Sequence, residues 1–410
     1  MEPLEMTIDS GFSAESFRRW LIDDSNLDGF FAISSLHDRH YLKAPEEPRL
    51  WMATSGTTAQ SSAIPRRWVG LSREALRSAA ARVNRWLNIS ERDLWARALP
   101  LHHMGGLSIE VRSQLSGCQV LEYPSAWSAR AFVNWLRFNH ISIASLVPTQ
   151  IYDLLQNQLR CPPSLRAVIV GGDRLSTTSL KQGRDLGWPL LRSFGMTETA
   201  SMIACEREQS VRPIEVPIEA IPVLPEVRCS ETGSAETLST RSQMLQIECG
   251  SLFDRELLWN EASQSYLLQT RSDGVWLSED RAQLFQCGDQ TWILPMGRDQ
   301  DYVKIAGEAV SLSDLDARMA CLLESEKIKI SAGFVALNDE RWGARLTLVL
   351  TEDRPDILEK WNRQGARSGL ERVRRYHVIE TFPRTELGKL KRFELTRRIE
   401  ALEVTQQSLK

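Results

Sequence analysis

The sequence has no long apolar run, no paired-cysteine motif and almost no net charge, and each absence closes a class of function. No uninterrupted apolar stretch approaches the roughly 18 residues a spanning helix needs, so membrane insertion is not expected. A formal net charge of −3 gives no global pull toward nucleic acid or an anionic surface. The seven cysteines are scattered, odd in number and never spaced C-x-x-C. That argues against a disulfide framework and a cysteine zinc site, and the thiols read as small apolar fillers in a reducing cytoplasm. The six histidines include one adjacent pair, His102-His103, and no H-E-x-x-H, so a metal site built from protein ligands alone is not expected. The first residues are acidic (Glu2, Glu5, Asp9) where a secretory leader is basic and then apolar, so no leader is expected.

What is present is ordinary in bulk and specific in pattern. At 410 residues, with 42% apolar and 25% charged side chains, the chain should form two or three globular domains with sizeable cores. An amphipathic helix is predicted over 12–25, where Phe17, Trp20 and Leu21 share a face. Strands at 67–71, 93–99, 141–146, 167–170 and 190–193 then alternate with helices such as 73–87. This alternation predicts an α/β fold with a largely parallel sheet, whose ligand crevice lies at the carboxyl ends of the strands. Prolines punctuate 211–227, which should be extended. Residues 244–295 read as short β elements, with turns at Asp273-Gly274 and Gly288-Asp289. A mixed α/β segment follows and closes with a charged helix over 391–402.

Three separated segments carry the chemistry. Six of the nine residues from Thr54 to Ser62 bear hydroxyls, and Gly56 frees the backbone. Thr54-Ser55-Gly56-Thr57-Thr58 can therefore offer hydroxyl and N–H donors to a triphosphate, although no Walker G-K-[ST] follows. Ser193-Phe194-Gly195-Met196-Thr197-Glu198 supplies a hydroxyl beside a carboxylate; alone it is equally a helix start with its cap. Pro383-Arg384-Thr385-Glu386-Leu387-Gly388-Lys389 ends on a lysine that, alone, would be one solvated cation among many.

In this order the three segments resemble the acyl-adenylate-forming superfamily of acyl-CoA ligases, adenylation domains and luciferases. The resemblance implies a large N-terminal domain (1–297, trimmed at its start) with mostly parallel layered sheets and a small β subdomain. A hinge (298–302) and a small mobile α+β lid (303–410) would follow. It further implies that Thr54 to Thr58 face the phosphates, with Arg66 or Arg67 replacing the usual loop lysine. Gly171, Gly172 and Asp173 would pass close to the adenine and Phe194 and Gly195 would flank it. Thr197 would donate to the α-phosphate and Glu198 would hold Mg²⁺. Asp289 would hold the ribose hydroxyls, Arg298 would open the hinge beside the nucleotide, His103 would gate the acyl and thiol entrance, and Lys389 would bridge acyl and phosphate oxygens.

The chain departs from the pattern at Ala59, where glycine is usual, in an insertion before Pro65, and at Gln300 in the hinge. Leu99 to Leu107, Ser145 to Gln150 and Gly195 to Ser201 are most similar to 2-succinylbenzoate–CoA ligases of menaquinone and phylloquinone synthesis, with Met202 where glutamine is common. The implied substrates are ATP, a small carboxylic acid and CoA, with Mg²⁺, in the cytoplasm, without nucleic acid, with homo-oligomers possible. The alternatives are a stand-alone adenylase loading a carrier-protein thiol and a degenerate, non-catalytic nucleotide-binding protein.

Overall fold

The structure, a computed structural model, describes residues 13–23, 31–33, 49–53, 67–207, 212–232, 243–260, 265–271, 274–298, 301–306, 308–339, 342–385 and 388–408. Its centre is a six-stranded sheet ordered Gln119–Glu122, Leu94–Arg97, Ile143–Leu146, Ala167–Val170, Leu190–Met196, Ser201–Cys205. The first five strands pair in parallel. Their apolar runs reflect burial on both faces. Ala144, Leu146, Val168 and Val170 pack in one apolar cluster with Phe132, Leu136 and Leu154. The alternate residues Ile143, Ala167 and Ile169 pack in another with Val83, Trp95 and Ile109. The covering helices Arg73–Trp86, Met104–Ser116, Ala129–Phe138, Pro148–Gln156 and Thr177–Asp185 supply those partners.

The strand expected over 190–193 continues to Met196 and turns back as Ser201–Cys205, an antiparallel edge strand that the sequence reading lacks. Gly195 looks like a strand breaker but is the point of closest approach: a Cβ there would lie 2.3 Å from Met202 Cα.

Parallel geometry is confined largely to this sheet. A second sheet, ordered Phe31–Ile33, Leu50–Ala53, Arg67–Leu71, Arg255–Asn260, Ser265–Thr270, is parallel only between its first two strands. The reason is topological: Arg67–Leu71 pairs with a strand from far along the chain rather than through a helical crossover. A third sheet, ordered Ile221–Pro222, Gln290–Arg298, Val275–Cys287, Gln243–Glu248, Arg228–Thr232, is antiparallel throughout. It is the expected β region, and Cys287 pairing with Gln290 closes the expected turn at Gly288-Asp289. Asp273 lies outside the described residues.

The C-terminal segment contains the hairpin Tyr302–Ile305 and Glu308–Ser311, the helix Leu312–Ser325, and a sheet of Ala332–Asp339, Gly343–Leu350 and Tyr376–Val378. Its apolar cluster, built on Leu315, Met319, Phe334, Leu348 and Trp361, is its own. The closing helix runs Arg392–Ser408, longer than expected. No helix among the described residues is long and apolar enough to cross a membrane.

Candidate active site

The carboxyl ends of Ala167–Val170 and Leu190–Met196 form one wall. Gly171-Gly172-Asp173 follows the first of these strands directly, and Ser193 Oγ donates to the Val170 carbonyl at 3.0 Å across the pair. Asp173 is exposed, and its Oδ1 accepts from the N–H of Arg174 at 2.8 Å. After Gly195 the chain makes a single 3₁₀ turn, Thr197–Thr199. The turn consumes the Thr199 hydroxyl, which accepts from the Met196 N–H (3.3 Å) and donates to the Ser201 carbonyl (2.6 Å). Thr197 is left half-buried beside Phe194 and Gly195 on the crevice strand.

Glu198, in the same turn, is only 7% exposed. Its carbonyl accepts from the Phe253 N–H at 2.8 Å, and its Oε1 receives Arg67 Nη1 at 2.6 Å. Arg67 Nε reaches Glu256 Oε2 at 2.7 Å, with the guanidinium 5.5 Å above the Phe253 ring. Burial alone would lower the Arg67 pKa, but the Glu198 and Glu256 carboxylates hold it above its ordinary value. Arg66 lies outside the described residues.

Asp280 ties this cluster to the C-terminal segment. Burial pushes its carboxyl above the ordinary range; Arg298 pulls it back, Glu198 pushes it further, and Lys389 pulls it back again. One carboxylate thus feels Arg298, Glu198 and Lys389 together. Asp280 also pairs with Arg298 across the hairpin, with Arg298 Nε 3.9 Å from its Oδ1.

Lys389 leaves a tight turn in which the Thr385 N–H donates to its carbonyl (2.8 Å) and its own N–H donates to Thr385 Oγ1 (3.0 Å). Gly388 takes φ +79, and a Cβ on it would lie 2.5 Å from Cγ2 of Thr149, at the start of the Pro148–Gln156 helix. The lysine turn is therefore seated on the rim of the parallel sheet.

Not every expected residue joins this site. Thr54, Ser55, Gly56, Thr57 and Thr58 lie outside the described residues, as do Ala59, Asp299 and Gln300. Asp289 is exposed in the hairpin turn beyond Cys287, and the strand from Asp280 to Cys287 alone spans roughly 23 Å at about 3.3 Å per residue. The carboxyl on which the charges of Glu198 and Lys389 act is that of Asp280. A Gly-Asp pair is a stronger turn signal than a ligand signal, whereas Asp280 sits inside a strand, facing Arg298, with no local motif. His103 caps Met104–Ser116 with extended backbone, its ring 4.5 Å from that of His102.

Among the described residues no group of three His, Cys, Asp or Glu side chains is arranged to hold a metal by itself. Glu198 nevertheless fits a Mg²⁺–nucleotide, because this hard ion takes one or two carboxylates and completes its shell with phosphates and water. Arg67 contacts that carboxylate directly, and Arg298 and Lys389 act on the neighbouring Asp280, so the region carries the positive charge a polyphosphate needs.

Comparison with known proteins gives the family and the fold. The family described as AMP-binding enzyme matches residues 12–228. 2-Succinylbenzoate–CoA ligase of Bacillus pumilus is 25% identical over 359 residues, 84% of this chain and 68% of that one. The Bacillus subtilis ligase of the same name is 33% identical over 152 residues, 37% of this chain and 30% of that one. In fold, the chain is similar to o-succinylbenzoate CoA synthetase from Bacillus subtilis in complex with the acyl-adenylate intermediate OSB-AMP, with a TM-score of 0.69 and 22% identity over 84% of this chain and 68% of that one. ATP-bound MatB from Rhodopseudomonas palustris is similar too, with a TM-score of 0.71 and 17% identity over 96% of this chain and 83% of that one. The matched segment spans more than half of the sequence and contains His103, Gly171 to Asp173 and Ser193 to Glu198, so the chain belongs to the family of AMP-binding enzymes.

Proposed function

We propose that the protein is an AMP-forming acid–CoA ligase that converts 2-succinylbenzoate to 2-succinylbenzoyl-CoA for menaquinone or phylloquinone synthesis. The observation that carries this reading is the seating of the Gly388-Lys389 turn against Thr149, which brings the C-terminal lysine to the rim of the parallel sheet where Ser193 to Glu198 lie. ATP and CoA as substrates place the reaction in the cytoplasm.

In the first half-reaction a substrate carboxylate oxygen bonds to the α-phosphorus of ATP and pyrophosphate leaves. Negative charge grows on the phosphate and acyl oxygens, and Lys389 supplies a preorganised countercharge there. Thr197 donates its hydroxyl to an α-phosphate oxygen. Asp280, rather than Asp289, takes the ribose hydroxyls, and Gly171 to Asp173 with Phe194 and Gly195 border the adenine. Mg²⁺, held by Glu198, would neutralise phosphate charge when bound. In the second half-reaction the CoA thiol attacks the acyl carbonyl and AMP leaves.

Lys389 has no part in that second step and must withdraw. Residues 298–302 act as the hinge for that movement and 303–410 as the lid. The separate apolar cluster of the C-terminal segment supports the division. His103, at a helix start on the same sheet edge, gates the acyl and thiol entrance.

The test is incubation with ATP, Mg²⁺, CoA and 2-succinylbenzoate, following AMP and thioester. Both products should appear together. AMP without CoA thioester would move the assignment to a carrier-protein adenylase, and ATP binding with neither product across a panel of acids would leave a non-catalytic binder.

A further inference from the structure

The Arg67 side chain is doubly held, and the two contacts use different edges of the guanidinium. Nη1 meets Glu198 at 2.6 Å and Nε meets Glu256 at 2.7 Å. Both carboxylates are nearly buried, at 7% and 8% exposed, so neither is neutralised by bulk water. The anchoring is rigid on both sides. Arg67 opens a strand paired to the Glu256 strand, and the Phe253 N–H pins the backbone of Glu198. A guanidinium can give up one edge and keep the other, which a lysine ammonium cannot do.

We infer that Arg67 is a resident cation of the metal seat: without nucleotide it occupies Glu198, and the divalent ion enters only with the triphosphate. On that event Nη1 exchanges the Glu198 carboxylate for a phosphate oxygen, while Nε stays on Glu256, which acts as the positioning residue. This rests on the reading of Glu198 as the magnesium carboxylate. The physical reason is charge. With Arg67 in place a dication must approach a guanidinium already bound to its ligand. Without Arg67, two buried carboxylates face one another across the space of a guanidinium, a pair that suits a hard dication.

The probe is Mn²⁺, a hard oxygen-seeking stand-in for Mg²⁺, titrated into the full-length, nucleotide-free protein and followed by electron paramagnetic resonance. Wild type should bind Mn²⁺ weakly alone and tightly once ATP is added. Arg67→Met should bind one Mn²⁺ without nucleotide about tenfold or more tighter than wild type, and Arg67→Met with Glu198→Gln should lose that gain. Arg67→Lys should fall between, since a point charge satisfies one carboxylate at a time.

Arg67→Met binding no tighter than wild type, or tight binding by nucleotide-free wild type, overturns the inference. If Arg67→Met does not fold, by circular dichroism, Arg67→Lys decides by the same comparison with wild type. The readout needs no acid substrate, so failure of the ligase assay and failure here are distinguishable.

Discussion

The Ser179 hydroxyl donates a 2.9 Å hydrogen bond to Oε1 of Glu324, and Ser176 reaches Oε2 of the same carboxylate at 3.1 Å. Glu324 belongs to the helix Leu312–Ser325 of the C-terminal segment. Ser176 is the N-cap of Thr177–Asp185, so the carboxylate also lies at a helix N-terminus, where the dipole favours it. Contacts of this kind exchange readily with water, which suits the proposed opening of this interface between the two half-reactions.

Glu324→Ala should therefore slow adenylate formation by roughly fivefold, about 1 kcal/mol of lost docking, without slowing thioester formation from supplied acyl-adenylate. Pyrophosphate release and thioester yield, measured separately, check this. An equal fall in both half-reactions would show that the contact is merely structural.

Lys389→Ala should be far more severe and equally one-sided. Loss of a preorganised charge on a developing oxyanion lowers the first half-reaction by roughly 10² to 10³. Thioester formation from supplied adenylate should stay within about threefold of wild type. Single-turnover measurements of each half-reaction decide, and equal losses would end the assignment of Lys389 to adenylation alone.

These two residues mark where the sequence was legible and where it was not. Lys389 stands out through the preamble that precedes it, and Ala167–Val170 through an apolar run that only a doubly covered strand carries. Glu324 has no such mark, because its partners are 145 and 148 residues away and its meaning arises only when two helices meet. Arg67 joined to Glu256 is hidden in the same way, 189 residues apart. Asp280 and Asp289 show a different limit. The family resemblance drew attention to Asp289, which lies exposed in a local turn, whereas the charges acting on Asp280 come from three separate segments and leave no local mark.

Asp280 offers a pH test. Its folded-state pKa is raised by burial and by Glu198, despite Arg298 and Lys389. A carboxyl raised in this way favours the folded state while protonated, and ionisation destabilises the fold. The penalty begins as pH rises through the unfolded value of about 3.9 and is complete above the folded pKa. Asp280→Asn removes it, so the nucleotide-free variant should melt higher than wild type at neutral pH, with the gap closing in acid. The same variant should raise KM for ATP by about tenfold or more, from a lost charged hydrogen bond, whereas Asp289→Asn should change it less than twofold. Thermal melts across pH and ATP titrations of both variants are the measurements. A reversed order of the two variants would return the ribose to Asp289.

Gly388 tests the seating of the lysine turn without touching a charged group. Its φ of +79 disfavours any other residue, and an added Cβ would lie 2.5 Å from Thr149 Cγ2 and 2.7 Å from its Oγ1. Gly388→Ala therefore meets two obstacles, a left-handed backbone costing roughly 1 kcal/mol and a clash with the opposite wall. Only the second depends on docking. Thr149→Ala removes the offending atoms and leaves the backbone strain, so the double variant should recover part of the adenylation rate lost in Gly388→Ala. If Gly388→Ala loses about thirtyfold, recovery of roughly three- to tenfold corresponds to a coupling near 1 kcal/mol, which a double-mutant cycle resolves. Additive effects would mean that the turn does not rest on Thr149 when the adenylate forms, and Lys389 would then have to reach the phosphates from another approach.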